Sequence, residues 1–127
     1  MLKKIFQLYF DNNIKLEAEI FPDYGTMMNF NVTSNGFSGH GPIYLNSNEI
    51  NKAITLLSKM LETLSGEYIL FDIESNKYFI KFQFDNSALF VKGCLGDYIN
   101  HNLNFAFKAD QTLIFLLIDA LKILNKF

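Results

Sequence analysis

Few side chains in this 127-residue sequence carry chemistry beyond folding. Ser38, His40, Asp97 and His101 are the residue types of a nucleophile, its base and an orienting carboxylate. Such a set cleaves acyl bonds only when its members lie within hydrogen-bond reach. The local sequence argues against that use. Gly36-Phe37-Ser38-Gly39 lacks the strand-to-helix turn that exposes a nucleophilic serine, and it reads instead as the arm of a glycine-rich hairpin. His40, His101 and Cys94 are the available soft or borderline metal ligands. They are far apart in sequence, with no Cys-x-x-Cys or His-x-x-x-His spacing. Gly36, Gly39 and Gly41 have no following Lys-Ser/Thr pair and open no helix, so they do not form a phosphate loop. Glycines within a strand instead mark a bulge or a close backbone contact, and Pro42 puts that strand at an edge or a bulge. Glu17 and Glu19 share a strand face, but they flank Lys15 and read as solvated rather than as a glycosidase pair. No catalytic residue, cofactor or metal site is expected.

The remaining polar groups fall into a pattern. Lys15, Glu17 and Glu19 alternate with Ile14, Leu16, Ala18 and Ile20, and Asn29 and Asn31 alternate with Met28, Phe30 and Val32. Lys81 and Gln83 alternate with Ile80, Phe82 and Phe84, and Asn102, Asn104 and Lys108 alternate with Leu103, Phe105 and Phe107. A period of two puts each set on one face of a strand. Together these ten residues form a candidate protein-binding face, where amides and charges of both signs give specificity and modest steering.

Turn signals divide the strands. Asp11-Asn12-Asn13, Asp23-Tyr24-Gly25, Asn35-Gly36, Ser75-Asn76 and Asp85-Asn86-Ser87 separate alternating runs near 4–10, 14–21, 26–33, 37–45, 67–74, 78–84, 88–97 and 101–108. Asn35-Gly36 is the strongest, because both types tolerate the positive φ of a tight hairpin. Helical spacing appears twice. Ile50, Ile54, Leu57, Leu61 and Leu64 form a stripe over 47–64, with Asn46 and Glu49 at capping-box spacing and Gly66 as the stop. The second helix starts at Asp110, whose carboxylate suits the first-turn N–H groups, and runs through Leu113, Leu117, Leu121 and Leu124. Phe115 lies in its wet row with Asp119, Lys122 and Lys126, which makes it a candidate partner or dimer contact.

The expected fold is therefore α+β in the order β-β-β-β-α-β-β-β-β-α. It is an antiparallel meander of seven or eight strands with two helices packed on one face, and residues 1–127 form one domain. Half of the residues are hydrophobic and fourteen are Phe, enough for an aromatic core without disulfide or metal. A net charge of -2 and the lack of any Arg point away from nucleic acid and membrane surfaces. Abundant Lys and Asn with no Arg or Trp read as the base composition of an AT-rich genome. The N-terminal apolar run breaks at Gln7 and ends at Asp11, too short for a signal sequence, so a cytoplasmic location is expected.

Three blocks carry a resemblance. They are Gly36-Phe37-Ser38-Gly39 before the first helix, Leu64-Ser65-Gly66-Glu67 after it, and the run from Asn102 to Thr112, Asn-Leu-Asn-Phe-Ala-Phe-Lys-Ala-Asp-Gln-Thr, before the last helix. With Gly93 in the preceding strand, their order resembles the WapI-type family of small bacterial immunity proteins from about Ile14 to Leu124. The resemblance implies a non-enzymatic antidote that binds a cognate toxin protein in the cytoplasm of the producing cell and blocks it. It carries over no catalytic residue. The residues alone leave two alternatives open. One is a small-ligand module or weak hydrolase using Ser38, His40 and His101; the other is a structural protein that self-associates through the last helix as a homodimer.

Overall fold

The computed structural model describes residues 3–21, 25–75, 77–96 and 102–126. Eight strands and two helices follow in the expected order. They are β1 (Lys4–Asp11), β2 (Ile14–Ile20), β3 (Met27–Ser34), β4 (Phe37–Tyr44), α1 (Ser47–Thr63), β5 (Gly66–Phe71), β6 (Phe79–Asp85), β7 (Ala88–Gly96), β8 (Asn102–Ala109) and α2 (Thr112–Leu124). Every pairing is antiparallel between sequence neighbours, as short hairpin links require. Asn35 and Gly36 both take positive φ in the β3–β4 turn, which matches the twist of the flanking strands.

The fold class is as expected, but the single meander is not. The strands form two sheets of four, ordered β1-β2-β3-β4 and β5-β6-β7-β8. The break falls where α1 intervenes, and its cause lies in β4. Instead of pairing with β5, β4 runs close over β7 and β8. A Cβ added to Gly41 would lie 2.5 Å from the Gly96 carbonyl oxygen, and one added to Gly39 would lie 2.7 Å from Cβ of Leu103. Only residues without a Cβ permit backbones to approach this closely. The end of β4 is tied to the second sheet through Asp72, which is 3% exposed. Its carboxylate accepts the Tyr44 N–H at 3.0 Å, and the Ile73 N–H donates to the Tyr44 carbonyl at 2.9 Å.

The inner faces of the two sheets and both helices share one hydrophobic core. Phe30 and Phe82 are its largest fully buried side chains. Tyr9 of β1 stacks on Phe107 of β8 with ring centres 5.6 Å apart, joining the sheets. A bulge between Gln7 and Tyr9 resets the phase of β1, so that Leu8 is buried and Tyr9 faces inward with its partner Leu16.

The helix α2 packs on β1, β2 and α1, and α1 also packs on β5. Asn46 caps α1 by accepting the Glu49 N–H at 2.8 Å. Leu64, not Gly66, takes the left-handed conformation at its C-terminus, with φ 52°. Gly66 adopts positive φ two residues later. The buried stripe of α1 is Ile50, Ala53, Leu57 and Met60. It is rotated slightly from the expected one, leaving Ile54, Leu61 and Leu64 half-buried against the core. Ahead of α2, the Asp110 carboxylate accepts the Thr112 N–H at 2.9 Å, one residue before the helix boundary.

Candidate functional site

Because the sheet is split, the ten candidate residues occupy two outer faces. Register places Lys15, Glu17 and Glu19 of β2 beside Thr33, Asn31 and Asn29 of β3, and Ser38, His40 and Pro42 of β4 continue the same rows. Lys81 and Gln83 of β6, with Asn102, Asn104 and Lys108 of β8, lie on the outer side of the second sheet. The structure thus brings together the members of each half but separates the two halves.

The first outer face is internally bonded. One carboxylate oxygen of Glu19 accepts from the side-chain amides of Asn29 and Asn31, each at 2.8 Å, and the other meets the Lys3 ammonium at 3.0 Å. Partial burial opposes ionisation of Glu19, but the amides of Asn31 and Asn29 and the charge of Lys3 outweigh it. They hold the carboxyl below the usual glutamate range. Lys15 and Glu17 pair at 2.8 Å, between residues two apart on one strand. Ser38 and Thr33 share a hydroxyl hydrogen bond of 3.2 Å on an exposed hairpin arm. His40, exposed, stands opposite Asn31. Asp97 and His101 lie outside the described residues. Cys94 is a buried free thiol on the second sheet, away from the face that holds His40. Among the described residues no three of His, Cys, Asp and Glu gather as a metal would require.

The second outer face is assembled differently. Lys81 of β6 is directly opposite Lys92 of β7, and Lys92 is opposite Ala106 of β8. One row along, Phe90 sits between Gln83 and Lys108. Lys81 pairs with Glu67 of β5 at 2.9 Å. Lys92 and Lys108 have no ion-pair partner among the described residues. These side chains surround a shallow hollow of about 420 Å³. Phe90 leaves 44% of its surface exposed beside it.

Phe90 and Lys92 were not among the residues singled out from sequence. Their signal is phase: Phe90 shares the parity of Lys92 and, through the register, the face of Lys108. The run Leu89-Phe90-Val91 conceals it, because three consecutive apolar residues show no alternation. Ile5 and Phe10 were missed for a related reason. The bulge in β1 puts both on the first outer face, beside Glu19 and Lys15, and Phe10 is 67% exposed. Phe115 is exposed on α2, at 54%, as its row predicts. No helix among the described residues is long and apolar enough to cross a membrane.

No curated protein matches the sequence. A family model does, across residues 3–127, somewhat more of the chain than the three sequence blocks span. On that match over nearly its whole length, the chain belongs to the immunity protein WapI-like family.

Proposed function

We propose that this protein is a non-enzymatic antidote, which binds a cognate bacterial toxin domain and occludes it. Membership of the immunity protein WapI-like family is the observation that carries this reading. The architecture supports it physically. Two sheets that seal their inner faces in a common core leave two broad outer faces bearing fixed charges and amides. Such faces suit recognition of a protein, where an interface of ordinary size covers about 800 Å² of each partner. The candidate contact residues are Lys15, Glu17, Glu19, Asn29 and Asn31 on one sheet, and Lys81, Gln83, Asn102, Asn104 and Lys108 on the other. Phe115 is a candidate contact on α2.

Co-expression tests the proposal. Cells making the toxin domain encoded beside this gene should survive when this protein is present and die when it is absent. Equal killing in both cases overturns it. The hydrolase alternative gains no support from Ser38, whose hydroxyl bonds Thr33 on an open strand.

A further inference from the structure

We propose that the hollow ringed by Lys81, Lys92 and Lys108 beside Phe90 is the anchor site for an acidic, apolar-tipped segment of the toxin. This rests on the antidote reading and specifies the chemistry of the partner.

The local charge arrangement is unfavourable for folding alone. Lys81 and Lys92 are directly opposed across β6 and β7, and like charges at opposed positions destabilise a sheet. Glu67 relieves Lys81 at 2.9 Å, but Lys92 and Lys108 find no carboxylate among the described residues. The chain as a whole has a net charge of -2, so this cluster is a local departure from the overall balance. Two cations left uncompensated around an exposed phenyl ring are complementary to carboxylates that flank an apolar side chain. Ala106 makes room for such a side chain. It lies opposite Lys92 and lines the hollow with Phe90. Burying the exposed ring and neutralising the ammonium groups in one contact is the composition of an interface centre, where an aromatic anchor is ringed by charges that steer approach.

Two other occupants fit less well. A second copy would have to offer carboxylates. Those of the first outer face are already held, Glu19 by Lys3 and two amides and Glu17 by Lys15, so a second copy would have to dock through other carboxylates, and a dimer in sedimentation that Lys92→Glu/Lys108→Glu disrupts would overturn the inference. Nucleic acid would meet lysines and one aromatic ring here, but on a chain without Arg and with negative net charge.

Binding of the intact protein to the purified toxin domain tests the inference by surface-bound kinetics. The double variant Lys92→Glu/Lys108→Glu should lose at least about a hundredfold in affinity, mainly through a slower, less salt-sensitive association. Phe90→Ala should lose about tenfold, mainly through faster dissociation. Lys52→Glu on the exposed side of α1, where no candidate contact lies, serves as the comparison variant. Thermal melts of each variant exclude misfolding, and Lys92→Glu should fold at least as well as wild type because it faces Lys81. Wild-type binding that the double reversal leaves unchanged overturns this inference while upholding the antidote reading. Failure of wild type to bind at all overturns both. A labelled single-stranded oligonucleotide should not bind at physiological salt; an oligonucleotide that binds and is lost with the double reversal, while toxin binding is unchanged, also overturns it.

Discussion

The two outer sheet faces come from the same alternating pattern and end in opposite electrostatic states. On the first, each carboxylate already has its cation or amides: Glu19 with Lys3, Asn29 and Asn31, and Glu17 with Lys15. On the second, two lysines stand unpaired among the described residues, a third opposes one of them, and a phenyl ring lies exposed between them. On the first face Glu19 joins β2 to β3 through two amides and meets Lys3, while Glu17 neutralises Lys15 within β2. The second leaves Lys92 and Lys108 without a carboxylate among the described residues. Polarity alone does not distinguish an interaction surface from a wet one; the distinction lies in whether the polar groups already satisfy one another.

The contrast requires both sheets to stay intact, and the largest expected effect tests that requirement. Phe105 is buried on the inner side of β8, where it stacks near Phe107 with ring centres 6.1 Å apart. Phe105→Ala should cost about 3–5 kcal/mol in denaturant unfolding, from lost burial and the cavity left behind. A variant as stable as wild type would mean that the inner side of β8 is not part of the common core. Next comes the crossing of the sheets. Gly41→Ala places a methyl group against the Gly96 backbone, which cannot swing aside as a side chain would. A loss of about 1–3 kcal/mol is expected from the same measurement. Retained stability would show that the two faces are not held apart by that contact.

The faces themselves come next. Glu19→Ala removes the acceptor shared by Asn29 and Asn31 and the partner of Lys3. It should cost about 1–3 kcal/mol, since the half-buried amides lose a charged acceptor. The pH dependence has a definite sign. The folded-state pKa of Glu19 lies below its ordinary value of 4.5. Its ionised form therefore stabilises the fold fully above that value, and this contribution is lost as pH falls through the lower folded-state pKa. Wild type should lose more stability than Glu19→Gln on acidification below about pH 4.5. Parallel pH profiles for the two proteins would show that the first face is not internally bonded as described.

The order of elements was legible in the sequence because alternation and capping are local. Asn46 with Glu49, and Asp110 ahead of the last helix, act close to where residue type alone put them. The division into two sheets was not legible. Nothing local to β4 or β5 states whether they pair, and the deciding contact joins Gly41 to Gly96, far away in the sequence. Pro42 marked β4 as a strand at an edge or a bulge, and of the two it is the edge: β4 lies at the end of the first sheet. Of the candidate surfaces, the ten polar residues followed from parity, but their neighbours did not. Lys81 opposite Lys92, and Phe90 opposite Lys108, are facts of register between strands. Register depends on hairpin length and on the core pattern, not on either strand by itself. The bulge that turns Phe10 outward beside Lys15 is hidden in the same way, within an apolar run where no period can be counted.

The smallest effect is the most direct comparison of the two faces, because its sign should reverse between them. On the first face, removing a charge costs stability. On the second, Lys92→Glu converts the opposed pair with Lys81 from like to unlike charge and should gain about 0.2–1 kcal/mol. The gain should shrink at high salt, where exposed charges are screened, and it should vanish in a Lys81→Gln background, since the coupling runs between those two strands. A double-mutant cycle in chemical denaturation measures it. If Lys92→Glu destabilises the protein in both backgrounds, Lys92 is held by a contact inside its own sheet, and the second face is no more open than the first. If the gain appears, the wild-type chain keeps a lysine that its fold alone would replace, as expected where the cation is retained for a partner rather than for the sheet.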